Sequence, residues 1–355
     1  MMRIISLDSV TGKERLAKDL IGKSESVLIT AGSVIKKEYV ERLKELDIQY
    51  IYVEDDIGEG IDLSDSLELQ IKEQCQQTVR EILQKYAYQN SADLEKIKLV
   101  AEEIIQEIML EPEVIYNLAC VREKSESTYS HSLNVCALSV IIAYKLRMKR
   151  EKIKDIAIGC LLHDIGFIYV PFDWQDLKLD TCSEKEAKEI KMHTIHGYAS
   201  VEKLKWLSKT SKEIILNHHE RLDGSGYPFR LEGSKIRIGS KIAGVCDEFD
   251  SRVYGNLTKK IKVHEAIDYI VSQAGVLFDF NIVKAFIDSV AAYPTGSIVL
   301  TNEGEMAIVL RQNPKCPTRP VIRILKDSNG NTPEVWIERD LTKELTLFIV
   351  DTIAN

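Results

Sequence analysis

The chain has 355 residues, 45% hydrophobic and 29% charged, which is ordinary for a soluble globular protein of two or three domains. Its formal net charge of −8 excludes a dedicated binder of nucleic-acid polymers, because no broad phosphate-neutralising surface is on offer. A small phosphate ester stays open as a ligand, since a few local cations or metals are enough to hold one. The N-terminal MMRIISLDSV lacks a basic region leading into a long apolar stretch, and no run reaches the roughly 18 apolar residues of a membrane span. Seven cysteines, without a CxxC pair, fit reduced thiols, so the expectation is a cytoplasmic protein away from the membrane.

Taken in chain order, residues 1–62 read as a small α/β unit. MRIISL, SVLIT and IQYIYVED have strand character, and KKEYVERLKEL is helical. Residues 63–118 form a helical linker in which Leu67, Ile71, Cys75, Val79, Ile82 and Tyr86 recur at three- and four-residue steps, with a break at Asn90-Ser91-Ala92-Asp93. That stripe has two uses of equal standing, as a homodimer seam or as a face packed on its own domain. Residues 119–290 are nearly all helical. From 291 to 355 the segments SIVLTNEG, EMAIVLRQ, RPVIRILKDSNGN and PEVWIER alternate like strands, with Asn-Gly and Glu-Gly turns. The expected class is mainly α, a helical domain flanked by a small N-terminal α/β unit and a small C-terminal β unit.

The chemistry-bearing residues all fall in the helical part. His131 is followed by Val135, Leu138 and Ile142 at helical spacing, and His163 shares its face with Ile153, Ile156 and Cys160, so both imidazoles point inward. Either alone fits a satisfied buried histidine. Asp164 changes the balance, because an aspartate is seldom buried without a cation. His193 has Gly197 and Ser200 on its face, small enough for another helix to come close; His196, one turn on, reads as a partly exposed helix histidine. His218 and His219, as helix neighbours, would diverge by about 100° and serve two metals, or one metal and the substrate. Asp247 sits on an apolar helix behind Ala243 and Gly244. Mixed imidazole and carboxylate donors suit iron, manganese or zinc, and seven of them exceed one tetrahedral site. Two divalent ions about 3.5–4 Å apart clamp a phosphate and carry a hydroxide, and no serine or cysteine nucleophile with a neighbouring base competes.

With HD at 163–164, His193…Gly197, HHERLDGSGYP at 218–228, VCDEFD and the later LFDFNIVKAF in order, residues 119–290 resemble the HD-GYP family of metal-dependent phosphohydrolases. The resemblance implies an all-helical domain, a bi- or trinuclear iron or manganese site, and hydrolysis of cyclic di-GMP to pGpG or GMP. It assigns metal ligation to His131, His163, Asp164, His193, His218, His219 and Asp247, with Asp164 also catalytic. Arg252 matches a phosphate-holding cation. Tyr227 either lies against a base or holds the loop that positions His218 and His219, the second being favoured. Asp223-Gly224 and Gly226 are expected to supply positive φ, and Pro228 to stiffen the exit.

Three positions depart from the family pattern. Phe167 stands where HDIGK has its lysine, Ser127 where trinuclear members carry glutamate, and Gly255 where a second cation follows Arg252-Val253-Tyr254. Two metals are therefore expected rather than three. Lys259 and Lys260 are nearby cations with no assigned role. Charge-assisted phosphate contacts are worth about 1.5–3 kcal/mol each, so the substrate side is thinned. Three functions stay open: a cyclic di-GMP phosphodiesterase, a catalytically weak receptor or interaction module that keeps its metals, and a hydrolase of another cyclic dinucleotide.

Overall fold

A computed structural model describes residues 2–7, 10–17, 19–21, 27–46, 48, 50–54, 78–79, 81–83, 94–110, 127–313 and 316–353. The chain divides into two compact units, one of residues 70–114 and 126–289, the other of residues 1–69, 115–125 and 290–355.

The first unit is helical. Its elements are α2 (Ile97–Leu110), α3 (Ser127–Lys145), α4 (Arg150–Leu161), α5 (Glu184–Lys191), α6 (His193–Val201), α7 (Lys209–Asn217), α8 (Ile238–Tyr254), α9 (Val263–Ser272) and α10 (Phe280–Ile287). The α2 face formed by Ile97, Val100, Ala101, Ile104, Ile105 and Ile108 is buried, and α2 packs on α3 and α4. Burial of each such aliphatic side chain is worth about 1.5–3 kcal/mol, so this face belongs to the unit's own core. Val79 and Ile82 are buried as well, whereas Leu67, Ile71, Cys75, Tyr86 and the break at 90–93 lie outside the described residues.

Helix ends are written into local sequence. Ser183 and Glu186 form a reciprocal capping box at the start of α5, and the Ser208 hydroxyl accepts from Ser211 N at the start of α7. Gly255 closes α8 in the left-handed region at φ 79°, with its N–H donating to Ser251 O. The residue that departs from the family's second cation is therefore a helix stop.

Two glycines set the spacing that brings the site together. A Cβ on Gly159 of α4 would lie 2.8 Å from Ile214 Cδ1 and 3.1 Å from Ser211 Cα, so the bare backbone lets α4 cross close to α7. On α8, a Cβ at Gly244 would lie 2.6 Å from His218 O, which explains the small residues ahead of Asp247. The structure shortens two expected helices. α4 ends at Leu161 and α7 at Asn217, so His163 and His219 stand in turns beyond them. In the last turn of α4, Leu162 N bonds Gly159 O at 3.2 Å, a tighter i→i+3 link that ends regular helix.

The second unit contains the flanking pieces. In 1–62, β1 (Met2–Ser6), β5 (Tyr50–Glu54) and β2 (Arg15–Leu16) form an antiparallel sheet in the order β1-β5-β2. β3 (Leu20–Ile21) pairs with β4 (Val27–Ile29), and α1 spans Lys37–Glu45. Leu16, Ile35, Leu43, Ile51 and Val53 are in its core. The C-terminal piece is a five-stranded antiparallel sheet, β6 (Ile298–Thr301), β7 (Met306–Arg311), β8 (Val321–Lys326), β9 (Ile337–Asp340) and β10 (Ile349–Ile353), in the order β10-β6-β7-β8-β9. Gly304 and Gly330 hold positive φ in the turns that the Glu-Gly and Asn-Gly pairs foretell. The fold is thus mainly α with small flanking mixed and β pieces. Among the described residues no helix is long and apolar enough to cross a membrane.

Candidate metal centre

Seven side chains from five places in the helical unit converge. His131 comes from α3, His163 and Asp164 from the turn after α4, His193 opens α6, His218 and His219 follow α7, and Asp247 stands in α8. Asp164 is central. Its Oδ1 faces His193 Nε2 at 3.4 Å and His218 Nε2 at 3.6 Å, while its Oδ2 faces His163 Nε2 at 3.3 Å and His131 Nε2 at 3.6 Å. Donor atoms accordingly fall into two groups that share Asp164. One is Asp164, His193, His218 and His219, and the other is His131, His163 and Asp164, each within 4.8 Å. Asp247 stands between them, with Oδ1 3.1 Å from His131 Nε2 and Oδ2 3.4 Å from His219 Nδ1.

Local backbone selects which ring nitrogen faces inward. The Nδ1–H groups of His163, His193 and His218 donate to Cys160 O at 2.7 Å, Ile190 O at 2.7 Å and Ile214 O at 3.0 Å. Each carbonyl lies three or four residues upstream, so the helix end itself sets the tautomer and leaves the Nε2 lone pair aimed at the centre. His131 uses a carboxylate instead. Its Nδ1 meets Asp250 Oδ2 at 2.6 Å, and Asp250 Oδ1 accepts from Asn134 Nδ2 at 2.8 Å.

Burial holds the His163 and His193 imidazoles down at about 4, and drives His219 well below its ordinary value. Burial would also lower His131, but the Asp247 and Asp250 carboxylates outweigh it and raise this ring to about 10. For Asp164, burial pushes upward and is overcome by His163, His218, His193 and His131, so the carboxyl lies below its usual range. The donor set fits a cation pair. His193 Nε2 lies 3.4 Å from His218 Nε2, and His163 Nε2 lies 3.2 Å from His131 Nε2. His193 and His218 both spend their protons on backbone carbonyls, so their facing lone pairs repel unless a positive ion lies between them. A metal relieves that repulsion and matches the nitrogen and oxygen donors.

The glycines around the centre act through space rather than through φ alone. A Cβ on Gly166 would fall 1.8 Å from His193 O, so only glycine lets the turn after Asp164 rest on α6. A Cβ on Gly197 would lie 3.0 Å from Ile215 Cγ2 and 3.2 Å from Gly166 N, a tighter fit than an ordinary contact but milder than at Gly166, as the small face beside His193 suggests. Gly224 has the expected positive φ of 78°. Gly226 is not among the positive-φ glycines, and its requirement is close approach, since a Cβ there would lie 2.4 Å from His219 O. Glu220 fastens the same loop by accepting from Phe229 N and Leu231 N, both at 2.8 Å.

A cavity of about 220 Å³ opens beside the centre and is lined in part by Asp164, Asp247, His219, Arg221, Tyr227 and Trp174. Tyr227 stacks on His219 with centroids 4.5 Å apart, and its buried Oη has no partner among the described residues. Burial raises this phenol well above its ordinary value, so it remains a neutral donor. The ring braces His219, in line with the positioning role, and the unpartnered hydroxyl is a separate feature that neither reading of the ring addresses. Arg252 does not line the cavity. It bonds Glu248 Oε1 at 2.8 Å and lays its guanidinium 3.5 Å over Tyr269. Arg221, which sequence reasoning passed over although it follows HHE directly, is the cation that lines it, paired to Glu248 at 2.7 Å. Lys259 and Lys260 do not line it either. Phe167 is packed between Trp174 at 3.9 Å and His193 at 4.1 Å. His196 stands outside both donor groups, near Tyr169. Asp250 also escaped sequence reasoning, though its i+3 spacing from Asp247 puts both carboxylates on one helix face.

Comparison with known proteins gives the family of the chain. An HD domain family model matches residues 102–282, and a model described as a KOW domain associated with HD domain matches residues 298–355. The chain belongs to the HD domain family. Within it, the HHERLDGSGYP segment at 218–228 carries the motif after which the HD-GYP branch is named. One relative, cyclic di-GMP phosphodiesterase PA4108 of Pseudomonas aeruginosa, is 28% identical over 66% of this chain and 56% of its own length. Another, 3'3'-cGAMP-specific phosphodiesterase 2 of Vibrio cholerae, is 28% identical over 59% of this chain and 40% of its own. The chain therefore spans about half the length of these curated relatives. The solved structure of Bd1817, an HDG"Y"P protein from Bdellovibrio bacteriovorus, shares the fold with a TM-score of 0.54 at 18% identity, covering 81% of this chain and 98% of its own.

Two outcomes follow. Asp250→Asn should weaken metal affinity by about 10–100-fold, as loss of a carboxylate behind a ligating histidine does, measured by chelator competition. An unchanged affinity would deny Asp250 its role in orienting His131. In chelator-treated protein, His163 and His193 have folded values near 4, below the roughly 6.5 of an unfolded imidazole. Their contribution is intact above pH 6.5 and is lost as pH falls toward 4. His131, raised to about 10, acts in the opposite sense, its contribution fading as pH rises from 6.5 through 10. Denaturant midpoints across pH 4–7 should show weaker acid lability in His163→Gln than in the parent.

Proposed function

We propose that the chain is a cyclic di-GMP phosphodiesterase built on two divalent ions, iron or manganese, with residues 119–290 as the catalytic domain. The observation that carries this reading is the division of labour at Asp164, whose two oxygens each face a separate set of imidazoles. When bound, such a pair polarises a phosphodiester and lowers the pKa of water. The residues of the chain do the rest. His131, His163, His193, His218, His219, Asp164 and Asp247 would hold the ions, with Asp164 also the catalytic group. The Tyr227 hydroxyl is a neutral donor for a phosphate oxygen, and Arg221 places a permanent positive charge on the cavity wall. The relatives named for cyclic di-GMP and 3'3'-cGAMP hydrolysis support a cyclic dinucleotide as substrate.

A second reading rests on Phe167 and Arg252. The first replaces a phosphate-binding lysine with a packed ring, and the second lies over Tyr269 and does not line the cavity. Both favour a slow enzyme or a receptor that binds without turnover. Incubation of manganese- or iron-loaded protein with cyclic di-GMP and with 3'3'-cGAMP, followed by chromatography, separates these. The enzyme reading expects pGpG, with or without GMP, from cyclic di-GMP. Tight binding without product favours the receptor, product from 3'3'-cGAMP alone redirects the substrate, and neither binding nor product refutes both.

A further inference from the structure

Part of the cavity wall is aromatic and apolar. Phe167, Trp174, Leu179 and Leu257 line it alongside Asp164 and Asp247. Two rings stacked within about 4 Å of Phe167 must take its opposite faces, so Phe167 lies between Trp174, tilted 24° from it, and His193, tilted 9° from it. Trp174 is half-buried, and the loop that carries it is pinned to the far wall. Leu179 N donates to Leu257 O at 2.9 Å, and Lys178 Nζ donates to Gly255 O. These two bonds tie the loop of Trp174 to the segment after α8.

We propose that Trp174, backed by Phe167 and bordered by Leu179, Leu257 and Asn256, is a seat for a purine base beside the metal centre. The proposal rests on the cyclic-dinucleotide reading of the site. An indole face accepts a base of any identity by stacking, and the Asn256 amide offers both a donor and an acceptor to a base edge. The cavity of about 220 Å³ is smaller than the roughly 300–1,000 Å³ that encloses a whole drug-sized ligand, so it takes one nucleoside-phosphate end. Phe167 then has a positive reason to stand where the family has lysine: affinity lost at the phosphate is recovered at the base. Trp174 acts on binding and leaves the chemistry at the phosphorus to other groups.

The test is calorimetry on the full manganese-loaded chain with GMP and with ribose 5-phosphate. GMP should bind about ten- to a hundredfold more tightly, in line with the effect of losing one stacked base. That preference should fall to near unity in Trp174→Ala and largely survive in Trp174→Phe. Equal wild-type affinities, no binding of either compound, or an undiminished preference in Trp174→Ala would overturn the proposal. A fluorescence arm does not depend on the alanine variant folding. In a Trp206→Phe/Trp336→Phe background, GMP should quench the remaining Trp174 emission and ribose 5-phosphate should not; absence of quenching by GMP overturns the seat. A protein that shows the base preference yet leaves cyclic di-GMP uncut supports the seat and refutes the enzyme reading.

Discussion

The arrangement depends on one buried carboxylate. Asp164 lies in a region where burial alone would push its carboxyl toward the neutral form, and the surrounding imidazoles keep it ionised. Because its two oxygens face different histidine pairs, it can hold together two cation positions where a lone buried charge would be costly. Much of the helical unit serves this residue. The glycine-mediated crossing of α4 and α7 brings His163 and His218 to the same depth, and Gly166 lets the turn after Asp164 rest on α6. The carbonyls at the helix ends then settle which nitrogen each ring presents.

Much of this was legible in the sequence, for physical reasons. Helical spacing placed His131 and His163 among apolar residues, and a buried aspartate beside a buried histidine demanded a cation. The strand alternation after Tyr293 and its glycine turns foretold most of the C-terminal sheet; β10 alone among its strands was not anticipated. What escaped depended on three-dimensional reach. His218 and His219 were expected to diverge along a helix, but α7 ends at Asn217 and the two rings lie 4.1 Å apart with His193 and Asp164 in one group. Both arginines pair with Glu248, and nothing in a motif distinguishes Arg221, which lines the cavity, from Arg252, which lies over Tyr269 and does not. Asp250 required the tertiary contact of α3 with α8 to acquire its purpose.

The two sides of the site have diverged in character. The metal side keeps every expected donor in reach of its neighbours. The substrate side trades mobile cations for packed aromatic surface, with Phe167 stacked between a ligand and Trp174 and Gly255 spent on ending α8. If the proposed base seat holds, such a change moves recognition from the phosphate, where attraction is long-ranged and screened by salt, toward surfaces that discriminate by shape.

The central claim is that two ions share Asp164, and anomalous diffraction from crystals of manganese- or iron-loaded protein tests it most directly. Two peaks about 3.5–4 Å apart, one on each side of the Asp164 carboxylate, are the predicted result. A single peak, or peaks that do not contact Asp164, would contradict it.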